Sequence, residues 1–169
     1  MGTAFAGVSS GAPAPLPLAG RRVAIVIGDG SDEAAIALMQ KALRATGAQT
    51  FLVGHREGPI ATTAGTHRTD LTVVNCDVHS FDAVVVPGGD ATALASEPHA
   101  VDFVGHACGL DKPVAAIGRG REVVEASGSA GIGLLRGEDA QVMRVARQLI
   151  TALAAGPPSA RSQGTLLPA

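Results

Sequence analysis

The chain has no tryptophan, no tyrosine and only four phenylalanines in 169 residues, so it offers little on which bases or sugars could stack. It has only two cysteines, Cys76 and Cys108, far apart and with no secretory leader pattern ahead of them, so a disulfide framework is not expected and both read as free thiols. No apolar run approaches the ~20 residues that span a bilayer. There is no basic stripe either: 13 Lys and Arg against 15 Asp and Glu give a net charge of −2 and argue against nucleic acid and anionic membrane surfaces. Also missing are G-x-S-x-G, G-x-x-x-x-G-K and H-E-x-x-H, and Cys76 with His79 is a single Cys-x-x-His lacking the second pair that a zinc site needs. These absences leave a chain that reads as a cytoplasmic globular protein with no resident metal or cofactor.

What is present is apolar and regularly punctuated. Hydrophobic residues make up 46% and charged residues 17%, and a single domain of this length buries roughly two-thirds of its unfolded surface. Residues 1–20 mix Ala, Gly, Ser and Pro without a period and read as a linker. From Gly156 the composition is similar, with Pro157 and Pro158 stopping the preceding helix, so 156–169 reads as a disordered tail. The folded domain is expected over 21–155.

Inside it, 22–27 is a β-branched run suited to a strand buried on both faces. Ser31 or Asp32 caps the segment after it, in which Ile36, Met39 and Leu43 fall at helical spacing before Gly47. Further strands are expected at 49–53, 82–86 and 114–117. Val101, Val104 and Cys108 share one helical face, Glu122 to Ala126 begins another helix, and Val142, Val145, Leu149, Ile150 and Leu153 form an apolar stripe after Gly137. Residues 54–81 interrupt the alternation and read as a small β excursion. Strands alternating with helices predict a doubly wound, mostly parallel α/β sheet of the flavodoxin-like kind, with right-handed crossovers.

In such sheets ligands bind beyond the carboxyl ends of the strands, which directs attention to three loops. The first, Gly28 to Glu33, nearly matches a dinucleotide fingerprint, but Asp29, Asp32 and Glu33 would repel a pyrophosphate; they suit a helix N-terminus, with a divalent cation as the alternative. The second, Pro87 to Asp90, brings the N–H groups of Gly88 and Gly89 above the sheet, where they form either a turn into a helix or an oxyanion-binding pair. The third runs from the strand 114–117 straight into a helix through Gly118, Arg119, Gly120 and Arg121. That is the geometry of a nucleophile elbow, with glycine at the nucleophile's place. Arg119 and Arg121 could hold a small anion there, or could be solvated. The five histidines, at 55, 67, 79, 99 and 106, have no evident carboxylate partner in the sequence.

With these residues in view, the chain from about Arg22 to Ala155 resembles the ThiJ/PfpI superfamily, of the class I glutamine amidotransferase-like fold. The strand 22–27 and its turn look like that family's first strand, whose following helix would bear a catalytic glutamate near Ala35; Glu33 is the nearest carboxylate. The segment 82–94 is similar to its oxyanion turn, matching Gly88 and Gly89, and 112–128 is similar to its elbow, with Gly118 in place of the cysteine. The order of segments, excursion included, is similar to the C-terminal domain of large-subunit haem catalases. That resemblance implies a non-catalytic accessory domain with a stabilising or chaperone-like role in oxidative-stress defence, whose partners would be a haem-catalase core, a second copy, or unfolded clients. Catalase haem is held by a tyrosinate, which this sequence does not contain. Two other readings are a residual hydrolase or glyoxalase using Cys108, Cys76 or Glu33 with Arg119, and a small-anion module at Gly118 to Arg121.

Overall fold

The computed structural model describes residues 16–129 and 133–156. Six parallel strands form one sheet in the order β5-β2-β1-β6-β7-β8. They are β1 (Arg22–Ile27), β2 (Gln49–Gly54), β5 (Leu71–Thr72), β6 (Ala83–Val86), β7 (Val114–Ile117) and β8 (Leu134–Gly137). A hairpin of β3 (Ile60–Ala61) and β4 (Thr66–His67) stands apart from it. The helices are α1 (Glu33–Ala45), α2 (Thr92–Ala95), α3 (Pro98–Gly109), α4 (Arg121–Ala126) and α5 (Val142–Ala155).

Alternation along each strand splits the core into two layers. Val23, Ile25, Ile27, Val85 and Ile117 face α1 and α5, packing on Ile36, Met39, Leu43, Val145 and Leu149. Ala24, Val26, Val84, Val86 and Ala116 face the other way, toward Leu94, Val104 and Val123. A side chain of this size contributes ~1.5–3 kcal/mol when fully buried, and both faces of every central strand are covered, which is why a parallel sheet forms here rather than a half-exposed antiparallel one. Three of the four phenylalanines meet in the second layer: Phe81 packs edge-on against Phe51 and Phe103, with ring centres 5.7 and 6.1 Å apart. The expected doubly wound, flavodoxin-like fold is the observed one.

Asp32 is the residue that caps α1, its carboxylate accepting the Ala34 N–H at 3.0 Å. The excursion is real but does more than expected, because β5 returns to the main sheet and extends it beyond β2. One expectation needs correction, and one strand was missed. Leu18, assigned to the linker on composition, is fully buried among the α1 and α5 side chains, and its N–H donates to the Thr46 carbonyl at 2.8 Å. The edge strand β8 went unrecognised because its side chains are only partly buried and give no continuous apolar run. Residues 1–15 and 157–169, which contain most of the expected linker and tail, lie outside the described residues. Among the described residues no helix is long and apolar enough to cross a membrane.

Candidate functional site

The strand order reverses between β1 and β6, so the loops after β1, β6 and β7 converge at one point, the usual place for a ligand in such a sheet. Each of the three loops is built around glycine. Gly89 has φ +85, and a Cβ there would run into the carbonyl oxygen of Gly30 and lie 2.6 Å from the Asp32 nitrogen. This close approach lets the first two loops join: the Asp32 N–H donates to the Gly88 carbonyl and the Asp90 N–H to the Gly30 carbonyl, both at 2.9 Å. Ser31, buried beneath them, accepts the Gly28 N–H on its hydroxyl at 2.9 Å. Gly120 permits the third loop to approach the end of β6, since a Cβ there would lie 2.5 Å from the Val86 carbonyl oxygen.

Gly118 sits directly after β7 with φ +51, in the left-handed region expected of an elbow residue. The space its side chain would fill is taken by the carboxylate of Asp139, whose Cγ lies 2.7 Å and Oδ2 3.0 Å from the Cβ position. The same carboxylate covers the Cβ position of Gly88. Asp139 was not anticipated from the sequence, because it follows the unrecognised strand β8. The available signal was the pair Glu138 and Gln141, which form a capping box at the turn after that strand.

Both arginines are exposed and paired with carboxylates of this chain. Arg119 donates to Glu122 at 2.9 Å and lies 3.8 Å from Asp90, and Arg121 donates to Glu138 at 3.2 Å. The histidine expectation also needs correction, since four of the five have a carboxylate partner. His55 lies 3.2 Å from Asp29, His67 2.6 Å from Glu33, His79 2.7 Å from Asp77 and His99 3.0 Å from Glu97. The first two pairs join residues 26 and 34 positions apart through the excursion, which no local pattern predicts.

That excursion also covers the acidic first loop. The Gly30 N–H donates to the Ala61 carbonyl at 2.7 Å and the Thr63 N–H to the Ser31 carbonyl at 3.0 Å. Glu33 accepts the Thr62 hydroxyl at 2.8 Å, and this bond together with His67 holds its carboxyl below the ordinary value. Partial burial pushes the Asp29 carboxyl up, but the Ala61 N–H, His55 and Arg56 outweigh it and hold it low. With Asp32 capping the first helix, all three carboxylates of the divalent-cation alternative have partners within the chain. Among the described residues no three His, Cys, Asp or Glu side chains converge to hold a metal ion.

The two thiols lie away from the elbow. Cys108 is buried in α3. Cys76 lines an open groove of about 430 Å³ between the loop 73–79 and α3, along with His79, His99 and His106. Burial, with the Asp77 charge beside it, pushes the Cys76 thiol up to about 11. A thiol so raised is almost wholly protonated at neutral pH and is a poor nucleophile.

The fold agrees with comparisons to known proteins. Over 95 residues, 54% of this chain, the sequence is 30% identical to catalase HPII of Pseudomonas putida, and the match spans only 13% of that longer protein. Among solved structures, Drosophila melanogaster DJ-1β superposes with a TM-score of 0.72 at 16% identity, covering 88% of this chain and 99% of that one. The ThiJ/PfpI domain protein of Brachyspira murdochii gives 0.72 at 15% identity over 82% and 99%. A two-domain protein of Anabaena variabilis, with DJ-1/ThiJ/PfpI-like and ferritin-like domains, gives 0.72 at 20% identity over 79% of this chain and 48% of that one. With the DJ-1/PfpI family model matching residues 21–133, from β1 through the elbow to the start of β8, the chain belongs to the DJ-1/PfpI family.

Proposed function

We propose that this chain is a non-catalytic accessory domain of the DJ-1/PfpI type, acting in the cytoplasm in oxidative-stress defence by associating with other proteins. The observation that carries the reading is the elbow itself. Gly118 carries the left-handed backbone of an elbow residue directly after the strand, which supports reading it as the nucleophile's position, and the Asp139 carboxylate fills the space a side chain there would take. Glycine presents no group that can attack a carbonyl, and the raised thiol of Cys76 and the burial of Cys108 leave no ready substitute. Glu33 is engaged by Thr62 and His67, and Arg119 by Glu122, which weighs against that pair as an acid–base substitute.

The similarity to part of a catalase supports a haem-catalase core as the partner. A second copy of the chain and heat-unfolded clients are the other proposed partners. The experiment is light scattering during heating of a haem-catalase core that lacks a domain of this kind, with purified chain at one- to five-fold molar ratio. Suppressed scattering, with the chain and core co-eluting on size exclusion, is the expected result. Unchanged scattering and separate elution at every ratio would sink the proposal.

A further inference from the structure

We propose that Asp139 is an internal plug of the elbow, a carboxylate that occupies the place of a side chain at position 118 and closes the mouth between Gly88 and Gly118. Two glycines on different loops lead to the same atom, since a Cβ built at either position meets Asp139 Oδ1 before anything else. From Gly88 the Asp139 Cγ lies 3.2 Å away, and from Gly118 2.7 Å. The turn that carries Asp139 is fixed at both ends. Glu138 accepts the Gln141 N–H through their capping box, and its carboxylate takes Arg121 Nη1 at 3.2 Å, tying the turn to the first residue of α4.

The plug is a movable one. Asp139 is exposed, and among the described residues no ion pair holds its carboxylate. Whatever enters the elbow therefore displaces a short charged side chain rather than backbone. A carboxylate beside that point also disfavours any anion forming next to it, a thiolate included.

The inference shares the elbow geometry of the accessory reading but is tested separately, because its test does not involve turnover. Gly118→Cys is made alone and together with Asp139→Asn or Asp139→Ala, and the rate of iodoacetamide alkylation of the introduced thiol is followed at pH 7.5 by peptide mass. Alkylation there is displacement of iodide by the thiolate, with the thiol proton lost to buffer, so the rate reports the thiolate and its access. The raised Cys76 and buried Cys108 keep the background low. The expected result is slow alkylation in Gly118→Cys, about five- to tenfold faster alkylation with Asp139→Asn, and faster still with Asp139→Ala, the first step being the loss of charge alone. Rates equal within about twofold in all three proteins would overturn the proposal. A second measurement serves if Gly118→Cys does not fold. In the Asp139→Ala variant with Gly118 intact, the backbone amides of Gly118 and Arg119 are expected to exchange about tenfold faster than in the native chain, and unchanged exchange would overturn the proposal equally.

Discussion

Replacing Gly89 with alanine places a methyl group against the backbone of the neighbouring loop, at the Gly30 carbonyl oxygen, 2.6 Å from the Asp32 nitrogen and 2.9 Å from the Ser31 carbonyl carbon. None of these atoms belongs to a flexible side chain. The loops must part, which breaks the two 2.9 Å hydrogen bonds that Asp32 and Asp90 donate across them. Each such bond contributes ~0.5–1.5 kcal/mol, and a left-handed backbone costs a non-glycine residue ~1–2 kcal/mol, so the sum is ~2–5 kcal/mol. At φ +85 the residue lies beyond the usual left-handed basin, which favours the upper half of that range. The expected fall in Tm is roughly 5–15 °C, read by circular dichroism with urea unfolding as a second measure. Gly118→Ala provides the control. The nearest atoms to its Cβ all belong to the exposed Asp139 carboxylate, which can turn aside, so its cost is ~1–2 kcal/mol from the backbone. If Gly118→Ala is as damaging as Gly89→Ala, or if Gly89→Ala is harmless, the reasoning about these loops is refuted.

Cys76, pushed up to about 11, is expected to react with iodoacetamide about tenfold more slowly than a free cysteine at pH 7.5, and a rate equal to the free thiol would contradict its described environment. The carboxyls of Glu33, Asp29 and Asp77 are held below their ordinary values, so in acid the unfolded chain binds more protons than the folded one. Stability from these groups is complete above the ordinary values of 4.5 and 3.8 and is lost as pH falls through the lowered ones. Urea midpoints flat from pH 7 to 5.5 and falling below about pH 4.5 are expected; Glu33→Gln should flatten part of the fall, and an unaltered profile in that variant would exclude Glu33 as a contributor. Because Arg119 and Arg121 are engaged by Glu122 and Glu138, millimolar phosphate or sulfate should move Tm by less than about 1 °C, whereas a larger rise abolished by Arg119→Ala would restore the anion-module reading.

The sheet was legible because 23–27, 83–86 and 114–117 are short apolar runs, rich in Val and Ile at 23–27 and 83–86 and bounded by turn residues, which suits strands covered on both faces. The elbow was legible for a related reason, since a fully buried strand running into a helix through Gly118 leaves few backbone solutions. What escaped was long-range and polar. The partners of His55 and His67 are brought in by a hairpin whose two strands have two residues each. Asp139 depends on β8, an edge strand whose partly buried residues carry little periodic signal. By contrast, the pairs of His79 with Asp77 and His99 with Glu97 join residues two apart and lay within reach of a local reading. Leu18 was hidden by its neighbours, because the prolines around it lend the composition of a linker to a residue that is fully buried.

The most direct test of the central claim is turnover by the purified native chain on a panel of activated esters, peptides and small reactive aldehydes, at enzyme concentrations high enough to detect slow catalysis. The account predicts rates indistinguishable from buffer on every substrate. Saturable turnover that is lost on Cys108→Ser, or on Glu33→Gln, would contradict it.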